Sequence, residues 1–361
     1  MILTLSILLA LVLAVFLVLT FYPHLGGKLS TEQKERHARS KQFRQGKFVN
    51  QTPTRMDSSL KTSLGILREF MKGNPRRKPS TQLPMEPLRL QEGGEAHVTW
   101  FGHSALLIEL DGKKLLLDPM FGRTPSPFPQ VGGRRYSGEL PFEIEELPEI
   151  DAVILSHDHY DHLDYGSIKR LHHKVGQFIV PLGVGAHLKR WGVAPEKIQE
   201  HDWWSEFEYA GLTLACTPAR HFSGRSLTDR DKTLWCSWVI IGRQAKLYFS
   251  GDGGYGPHFQ EIGRAYGPFD LTMMECGQYD PRWAAIHMMP EETVQAHLDV
   301  QGRVLLPIHW AAFTLALHDW TDPVERALQA AQHNRVTVAT PRIGEKVPVQ
   351  AAEYPASTWW R

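Results

Sequence analysis

The longest apolar run of the chain lies at residues 2–21, and it predicts a membrane-spanning helix. This run consists mainly of Leu, Val, Ile, Ala and Phe, and residues 1–25 contain no charged side chain. About 20 such residues in a helix cross the ~30 Å hydrocarbon layer of a bilayer. A core helix and a cleaved signal peptide are the alternatives, but a signal peptide would have a basic start and a shorter apolar stretch. We expect residues 1–25 to be an uncleaved transmembrane anchor, with the signal segment left open.

A polar, basic connector is predicted at residues 26–94, and its charges predict the orientation of the anchor. Seven basic residues follow the apolar run closely and none precedes it; they are Lys28, Lys34, Arg36, Arg39, Lys41, Arg44 and Lys47. By the positive-inside rule, the rest of the chain would lie on the cytoplasmic side of the membrane. These charges form either an ordinary solvated face or a contact for anionic lipid headgroups, worth about 1 kcal/mol per basic residue. A short helix is predicted within residues 30–47.

Short apolar runs recur from residue 95 onward and predict an α/β domain over residues 95–361. Strand composition covers His97–Leu110, a hairpin turn follows at Asp111-Gly112, and Lys114–Leu117 returns. The later predicted strands are Ala152–Leu155, Phe178–Val180, Leu212–Cys216, Trp238–Ile241, Lys246–Phe249, Leu271–Met274 and Val304–Ile308. Helices are predicted at 290–300 and 323–333, the first because proline is followed by two acidic residues.

The composition is sufficient for one large hydrophobic core and argues against a nucleic-acid partner. The chain has 361 residues, a formal net charge of +1, and 42% hydrophobic residues, which is enough for a single large core. The near-neutral balance argues against nucleic acid as the main partner. The three cysteines, Cys216, Cys236 and Cys276, are too few and too widely spaced for a disulfide framework. Their number agrees with a cytoplasmic domain.

Four side chains of metal-binding type follow the strand predicted at 152–155. They are His157, His159, Asp161 and His162, all within six residues. Imidazole and carboxylate groups are preferred ligands of zinc and similar ions, and residues two apart in an extended segment point the same way. His157 and His159 can therefore hold one ion, while Asp161 and His162 reach a second. A two-metal site is the arrangement that activates water for hydrolysis.

Three more residues of metal-binding type stand where later predicted strands give way to loops. They are His221, Asp252 and His309. Functional side chains commonly gather at such strand ends. Taken singly, each is also explained as a turn aspartate or a packed histidine, but together they complete a two-metal site. The predicted arrangement is His157, His159 and His221 on one ion, Asp161, His162 and His309 on the other, and Asp252 bridging.

With these residues in place, the chain resembles the metallo-β-lactamase fold superfamily, whose signature is His-x-His-x-Asp-His followed by His, Asp and His. The resemblance covers about residues 95–345 and is closer to one branch, N-acyl-phosphatidylethanolamine-hydrolysing phospholipase D and its bacterial relatives. Stretches that carry it include Thr99–Ser104, Leu117–Phe121, Ser156–Asp164, Asp202–Trp204, Thr217–His221, Leu234–Trp238, Gly251–Tyr255 and Ile308–Trp310. Two departures are a glycine at 253, where the branch often has threonine, and Glu275-Cys276, where relatives tend to be apolar or small.

The resemblance implies a four-layer αββα sandwich that holds two Zn²⁺ ions, with other divalent metals as alternatives. It implies catalytic roles for Asp161 and Asp252, and a role for Asp118 in orienting a ligand. His287 would contact phosphate or protonate the leaving oxygen, and a surface histidine before a helix is its alternative. Further residues near the expected pocket are Tyr160, Tyr255, Trp283, Met288, Met289 and Phe313; core packing is the favoured interpretation of the last four.

The function implied is a phospholipase D-type phosphodiesterase that acts on N-acyl-phosphatidylethanolamine-like membrane phospholipids. Its partners would be the membrane and its phospholipid substrate, and the branch suggests a homodimer. A metal-dependent hydrolase of a lactone or of a soluble phosphodiester is the alternative activity. A non-catalytic membrane scaffold is the third hypothesis, and the retention of all seven ligand-type residues argues against it.

Overall fold

Two seven-stranded sheets form the centre of the molecule in a computed structural model that describes residues 2–55, 59–90 and 94–361. Residue 1 of the predicted anchor and residues 56–58 and 91–93 of the predicted connector lie outside the described residues. The strands are β1 (Phe43–Arg44), β2 (Lys47–Phe48), β3 (His97–Trp100), β4 (Leu106–Leu110), β5 (Lys113–Leu117), β6 (Ile150–Ile154), β7 (Val175–Pro181), β8 (Ile198–His201), β9 (Ser205–Tyr209), β10 (Leu212–Thr217), β11 (Ser237–Ile241), β12 (Lys246–Phe249), β13 (Phe269–Glu275), β14 (Gly302–Ile308), β15 (Thr337–Val338) and β16 (Lys346–Pro348). The helices are α1 (Ile2–Phe21), α2 (Thr31–Ala38), α3 (Leu60–Lys72), α4 (Tyr165–Leu171), α5 (Gly185–Arg190), α6 (His258–Tyr266), α7 (Pro290–Asp299) and α8 (Asp322–Asn334).

Both sheets change from antiparallel to parallel pairing along their width. The first sheet has the order β16-β3-β4-β5-β6-β7-β8, and the second has the order β15-β14-β13-β12-β11-β10-β9. From β5 to β8 the strands of the first sheet run parallel, as do β12 to β15 in the second. Parallel strands end at the same edge of a sheet, so loops that follow them gather there. The predicted ligand loops after β6, β12 and β14 belong to this set.

Alternate side chains along each strand face two different cores, which produces four layers. On β5, Leu115 and Leu117 belong to the core between the two sheets, whereas Leu116 faces the core under α4 and α5. On the second sheet, Leu305 and Tyr248 face outward toward α6, α7 and α8. Side chains two apart point to the same face of a sheet, so the uninterrupted apolar runs of the sequence reflect strands covered on both faces.

Most of the predicted elements are confirmed, with one error at the start of the domain. The later predicted strands, the short helix within 30–47 and the two predicted helices are all present within a few residues of their predicted bounds. The single strand predicted over His97–Leu110 is wrong. The structure has two antiparallel strands there, β3 and β4, because the backbone turns at Gly102 and His103, both of which have positive φ. The three cysteines are free and buried.

Residues 22–55, here called the N-terminal strap, pack along the surface of the two-sheet domain. The Arg225 side chain donates two hydrogen bonds to the His24 carbonyl, at 3.0 and 2.9 Å, and Trp191 donates one to the Pro23 carbonyl at 2.8 Å. Phe48 of β2 is only 2% exposed and belongs to the core between the sheets. This part of the predicted connector is therefore packed on the domain; the boundary at residue 95 stays a prediction.

Helix α1 contacts the domain at its last turn, where Arg190 donates a hydrogen bond to the Thr20 carbonyl at 3.0 Å, and residues 4–19 are exposed. It is the one helix in the described part of the chain that is long and apolar enough to cross a membrane, with a mean hydropathy of 2.8 over Thr4–Phe21 and none of that window buried. A signal sequence near an N-terminus would have the same properties. The structure therefore agrees with a membrane anchor by length and composition.

Candidate metal centre

The seven predicted ligands converge at one edge of the sandwich, on four loops that follow strands. One loop after β6 carries four of them, and β10, β12 and β14 are each followed by one. All but His159 and Asp161 are almost fully buried, and the Asp161 side chain is 14% exposed. The first and last of these ligands, His157 and His309, are 152 positions apart in the sequence, but the parallel strands that precede three of the loops bring the loops together.

The first group contains three histidines whose ring nitrogens face each other. His157 Nε2 lies 2.9 Å from His159 Nδ1, and His221 Nε2 lies 3.1 Å from the same His159 atom. Zinc binds imidazole nitrogen at about 2.0–2.1 Å, which places two nitrogens on one ion roughly 3.3 Å apart. The structure thus brings together the three histidines predicted for the first ion.

The second group contains Asp161, His162 and His309 together with His103. Asp161 Oδ2 lies 3.6 Å from His162 Nε2, 4.0 Å from His309 Nε2 and 2.9 Å from His103 Nε2. One ligand atom from each of the four side chains lies within 4.8 Å of the others. The three residues predicted for the second ion are therefore adjacent, and the structure adds a fourth.

Asp252 lies between the two groups, at the predicted bridging position. Its Oδ2 is 2.9 Å from His162 Nε2 and 3.9 Å from His157 Nε2, and its Oδ1 is 3.1 Å from His309 Nδ1. The chain turns at Gly251, which has a positive φ of 57°. Only glycine fits here, because a Cβ would lie 2.7 Å from the Cys236 carbonyl oxygen. A side chain at this glycine would displace the loop that presents Asp252.

Hydrogen bonds orient four of the histidines so that their Nε2 atoms are left for other partners. His162 Nδ1 donates to Asp118 at 2.6 Å, and His221 Nδ1 donates to the Ile286 carbonyl at 2.9 Å. The Nδ1 atoms of the other two pair with hydroxyls, His157 with Ser156 at 2.9 Å and His309 with Ser104 at 3.1 Å. Metal-binding histidines usually have their other ring nitrogen fixed in this way.

Asp118 has the orienting position expected from the sequence. Besides His162, its carboxylate accepts hydrogen bonds from the backbone N–H of Ser156, at 2.7 Å, and from the Ser156 hydroxyl. Asp118 is fully buried and has a positive φ of 39° at the end of β5. It thereby ties the start of the ligand loop to His162.

Burial and mutual charge set the protonation of the cluster. Burial lowers the pKa of His157, His221 and His309 well below the usual value, and nearby histidines lower it further. For His162, burial opposes protonation, but Asp252, Asp161 and Asp118 outweigh it and raise the pKa well above the usual value. Neutral imidazole is the form that binds a metal. Three carboxylates, two of them fully buried, surround the His162 imidazole and favour positive charge there; a bound divalent cation would supply that charge in place of the proton.

The donor set fits divalent metal ions. Among the described residues, His309 Nε2 is buried without a hydrogen-bond partner, and Asp252 Oδ1 has only the 3.1 Å contact with His309 Nδ1, which lacks hydrogen-bond geometry. An unsatisfied buried atom of this kind is unfavourable by about 1–3 kcal/mol. Both atoms lie where the two groups meet. Imidazole and carboxylate ligands with fixed tautomers suit zinc and related ions, so these residues fit the predicted metals.

Sequence reasoning did not include His103 among the site residues. Its ring lies 4.0 Å from the His309 ring, centroid to centroid, and the two backbones pair because His309 N donates to the His103 carbonyl at 2.8 Å. Both residues have positive φ, 55° and 67°, a conformation uncommon for residues other than glycine and often found at functional sites. The Gly102-His103-Ser104 stretch lies inside the single strand that the sequence predicted over His97–Leu110, so the position of His103 at the end of β3 was missed.

Glu275 is the second residue that sequence reasoning left outside the site. It is fully buried, and its carboxylate contacts His287 Nδ1 at 3.0 Å and accepts a hydrogen bond from Met288 N at 2.7 Å. Burial raises the pKa of Glu275 to about 7, against the opposing effect of His287. Burial by itself would lower the pKa of His287, but the charge of Glu275 and its hydrogen bond outweigh burial, so the pKa of His287 is raised. The departure from the branch at 275 is thus a partner for the predicted catalytic histidine.

His287 itself lies beside the metal cluster, and its ring stacks on His309 at 5.2 Å. Its Nδ1 is held by Glu275, and His287 forms a group with Asp252, Glu275 and His309 in which one ligand-type atom of each lies within 4.8 Å of the others. His287, whose side chain is 14% exposed, joins His159 and Asp161 as the partly exposed members of the cluster. These three mark the solvent-facing side of the metal centre.

The other predicted pocket residues have mixed positions. Tyr160 donates to the Arg225 carbonyl, and Tyr255 donates to Asp299 at the end of α7. Met288 and Phe313 are buried, so core packing, the favoured interpretation for them, agrees with the structure. Trp283 and Met289 are half-buried. These contacts place neither Met288 nor Phe313 on an open acyl groove.

Comparison with known proteins identifies the family. The model of the β-lactamase superfamily domain matches residues 113–310, which is more than half of the chain and includes all seven predicted ligands. The chain belongs to the metallo-β-lactamase superfamily. A protein of Mycobacterium tuberculosis described as uncharacterised is 43% identical over 332 residues, 89% of this chain and 88% of its own length.

Members with a named activity and a solved structure are also similar. N-acyl-phosphatidylethanolamine-hydrolysing phospholipase D 1 of Caenorhabditis elegans is 36% identical over 234 residues, 62% of this chain and 65% of that protein. The solved structure of Igni18, a metallo hydrolase from the archaeon Ignicoccus hospitalis, aligns with a TM-score of 0.53 and 21% identity over 70% of this chain and 98% of its own. The fold and the family together support a metal-dependent hydrolase.

Proposed function

We propose that this protein is a binuclear zinc phosphodiesterase of the phospholipase D type that acts on N-acyl-phosphatidylethanolamine-like membrane phospholipids. The single observation that carries the hydrolase part is the paired cluster, with Asp252 in contact with both groups. The similarity to the Caenorhabditis elegans phospholipase D supports the choice of substrate. An apolar helix of 20 residues, α1, supports a site of action at a membrane.

The reaction would hydrolyse the phosphodiester bond on the headgroup side and release phosphatidic acid and an N-acylethanolamine. Two zinc ions bound here would activate water for attack and neutralise charge that develops on the phosphoryl oxygens. Asp252 and Asp161 position the ligand groups relative to each other. His287, held by Glu275 through Nδ1, has Nε2 free to contact a phosphoryl oxygen or to protonate the leaving alkoxide oxygen.

A cavity beside the cluster has the mixed character that an amphipathic substrate needs. It has a volume of about 270 Å³ and lies between the segment that follows β10, which carries His221, and the N-terminal strap. Its lining includes Phe222, Trp235 and Ile286 together with Arg230 and Asp231, whose charged groups pair at 3.7 Å. Ligand pockets are commonly apolar with a few polar groups that fix orientation. An aliphatic portion near phosphate would be accommodated by such a lining.

The membrane location is part of the same proposal. Helix α1 would anchor the protein in the bilayer, and the basic residues between 28 and 47 would keep the catalytic domain on the cytoplasmic side. The strap that follows α1 packs through His24 on Arg225. Arg225 also donates to the carbonyls of Asp158 and Leu163 at 2.6 and 2.7 Å. These two residues flank the predicted ligands at positions 159, 161 and 162. The anchor would therefore hold the metal centre at a defined position relative to the bilayer.

The test is metal content together with hydrolysis of detergent-dispersed N-acyl-phosphatidylethanolamine, for the wild type and for Asp161→Asn. We expect two zinc ions per wild-type chain, and loss of cleavage in the variant. Asp270→Asn is the matched control, because Asp270 stands at the opposite end of β13 from Glu275 and accepts a hydrogen bond from Lys246 N. Cleavage of lactones or soluble phosphodiesters by a metal-loaded enzyme that leaves the lipid intact would refute the lipid proposal and establish the alternative hydrolase.

A further inference from the structure

Helix α3 exposes a continuous apolar stripe. Leu60, Leu64, Leu67 and Met71 recur at the spacing of one helix face, and their side chains are 76%, 56%, 52% and 72% exposed. Phe70 lies at the side of this stripe and is 47% exposed. None of the 13 residues of α3 is buried. Contiguous exposed apolar side chains of this kind mark an interaction surface.

The opposite side of α3 contacts the two-sheet domain through an ion pair at the surface. The Glu69 carboxylate pairs with the Arg282 guanidinium at 3.1 Å, and the Glu69 carbonyl accepts from Arg77 at 3.1 Å. Since each helical residue turns by about 100°, Glu69 points away from the Leu60–Met71 stripe. The contacts that hold the helix therefore direct its apolar stripe outward.

The charges of α3 are distributed unevenly around the helix. Glu69 is its one acidic residue and faces the protein, whereas Lys61, Arg68 and Lys72 follow each other along one flank of the stripe. Among the described residues, Glu69 is the member of α3 that takes part in an ion pair. An apolar stripe with a basic flank is the pattern of helices that lie in the headgroup region of a bilayer.

The position of α3 relates it to the metal centre. Its partner Arg282 belongs to the turn Pro281–Trp283, and the same segment continues to Ile286, whose carbonyl holds His221, and to His287. Arg77, just after α3, also donates to the Leu317 carbonyl in the loop after His309. Helix α3 therefore contacts the segment that carries His287, and the residue that follows the helix, Arg77, contacts the loop after His309.

We propose that α3 is an interfacial helix that inserts its Leu60–Met71 stripe into a phospholipid surface and brings the metal centre to that surface. A second copy of the chain is the less suitable occupant. A helix of 13 residues is about 20 Å long, so one stripe offers roughly 200 Å², well below the ~800 Å² per partner of a stable interface. Pairing of two stripes would also leave the basic flanks without acidic partners. The inference deepens the proposed function, because a lipid substrate would be reached from the same surface.

The first experiment measures insertion without turnover. A polarity-sensitive fluorophore on Leu64→Cys, in the full chain with its native cysteines buried, is compared in detergent and in vesicles of phosphatidylethanolamine with a minority of phosphatidylglycerol. We expect a blue shift in vesicles and quenching by lipids that carry a quencher in the acyl chain. The same label on Gln329→Cys, exposed on α8, should show neither. An aqueous spectrum at position 64 in vesicles would overturn the proposal, whatever the substrate is.

The second experiment relates insertion to activity. Leu64→Glu/Leu67→Glu should lower hydrolysis of substrate presented in vesicles by roughly tenfold or more, because charged groups replace buried apolar area. Hydrolysis of a soluble phosphodiester by this variant should remain unchanged, which also shows that it is folded. Gln329→Glu/Gln332→Glu adds the same charge on α8 as a matched control. Equal losses on vesicle and soluble substrates, or a blue shift that depends on protein concentration without lipid, would contradict a lipid-facing stripe and favour a structural or self-association role.

Discussion

The metal centre buries polar side chains, whereas the helices α1 and α3 expose apolar side chains. In the metal centre, His157, His162 and Asp252 have side chains at most 1% exposed, although burial of such groups is costly unless they are paired. In the two helices, apolar residues such as Leu9 and Leu60 are 70% and 76% exposed. The first region hides polar groups from water and the second presents apolar groups to it.

The difference suggests what each region would bind. Imidazoles that share three carboxylates fit a cation, and the exposed leucines fit the apolar medium that we propose for them. The N-terminal strap joins the two regions, because Asn50 exchanges two hydrogen bonds with the backbone of His221, at 2.8 and 3.1 Å. Substitutions at Asp252 and Glu275 test how far the metal centre depends on buried polar groups, and a third substitution, at His37, tests a buried polar group in the strap.

The largest effect is expected from Asp252→Asn. Asp252 contacts both ligand groups. Its replacement by asparagine removes the negative charge that two neighbouring cations would share. We expect loss of at least one metal ion per chain and a decrease in kcat of about a thousandfold or more. Metal content by elemental analysis and turnover are the two measurements, with Asp270→Asn as control. A variant with both metals and near-normal turnover would show that the carboxylate is not part of the metal centre.

A smaller effect is expected from Glu275→Gln. The amide oxygen can still accept the hydrogen bond from Met288 N, but the charge that holds His287 is lost. We expect kcat to fall by about 10- to 100-fold, the usual effect of removing a residue that orients a ligand or catalytic group, while metal content stays unchanged.

The position of Glu275 behind His287 also predicts a dependence on the leaving group. If His287 protonates the leaving oxygen, Glu275→Gln should slow substrates with alkyl leaving groups more than those with acidic aryl leaving groups. Glu353→Gln, at an exposed site near the C-terminus, is the control. A uniform loss for both classes, or a loss of metal, would indicate that Glu275 only supports the local structure.

The smallest effect is expected at His37, a buried polar residue with neither a metal nor a hydrogen-bond partner. Among the described residues, neither of its ring nitrogens has a partner, and burial lowers its pKa to about 4. The folded state then binds fewer protons than the unfolded state between pH 6.5 and this value. Stability from this residue is therefore complete above about pH 6.5 and is lost as the pH falls toward 4.

The expected change is a loosening of the strap by about 1 kcal/mol between about pH 7.5 and about pH 5.5. Hydrogen exchange of residues 22–55 measures it. His37→Leu should remove this acid dependence, whereas His333→Leu on the exposed end of α8 should retain it. Equal acid dependence in the wild type and in His37→Leu would assign the effect to other histidines.

Local patterns predicted much of this molecule because they depend on neighbours in the chain. The apolar run of α1, most strands and the spacing of His157, His159, Asp161 and His162 all follow from periodicity and residue type within a few positions. The assignment of the seven ligand-type residues to one site also followed, since each stands at the end of a strand. That they bind metal stays a prediction that the proposed measurements test.

The tertiary structure alone decided the contacts between distant segments. His103 reaches Asp161 across 58 residues because β3 and β4 reverse at Gly102 and their backbone pairs with that of His309. Glu275 meets His287 only because β13 ends beside the segment that precedes α7. Whether the connector packs on the domain, and which side of α3 faces outward, likewise depend on partners far along the chain. Such contacts arise from sheet order and loop packing, which no local pattern of residues encodes.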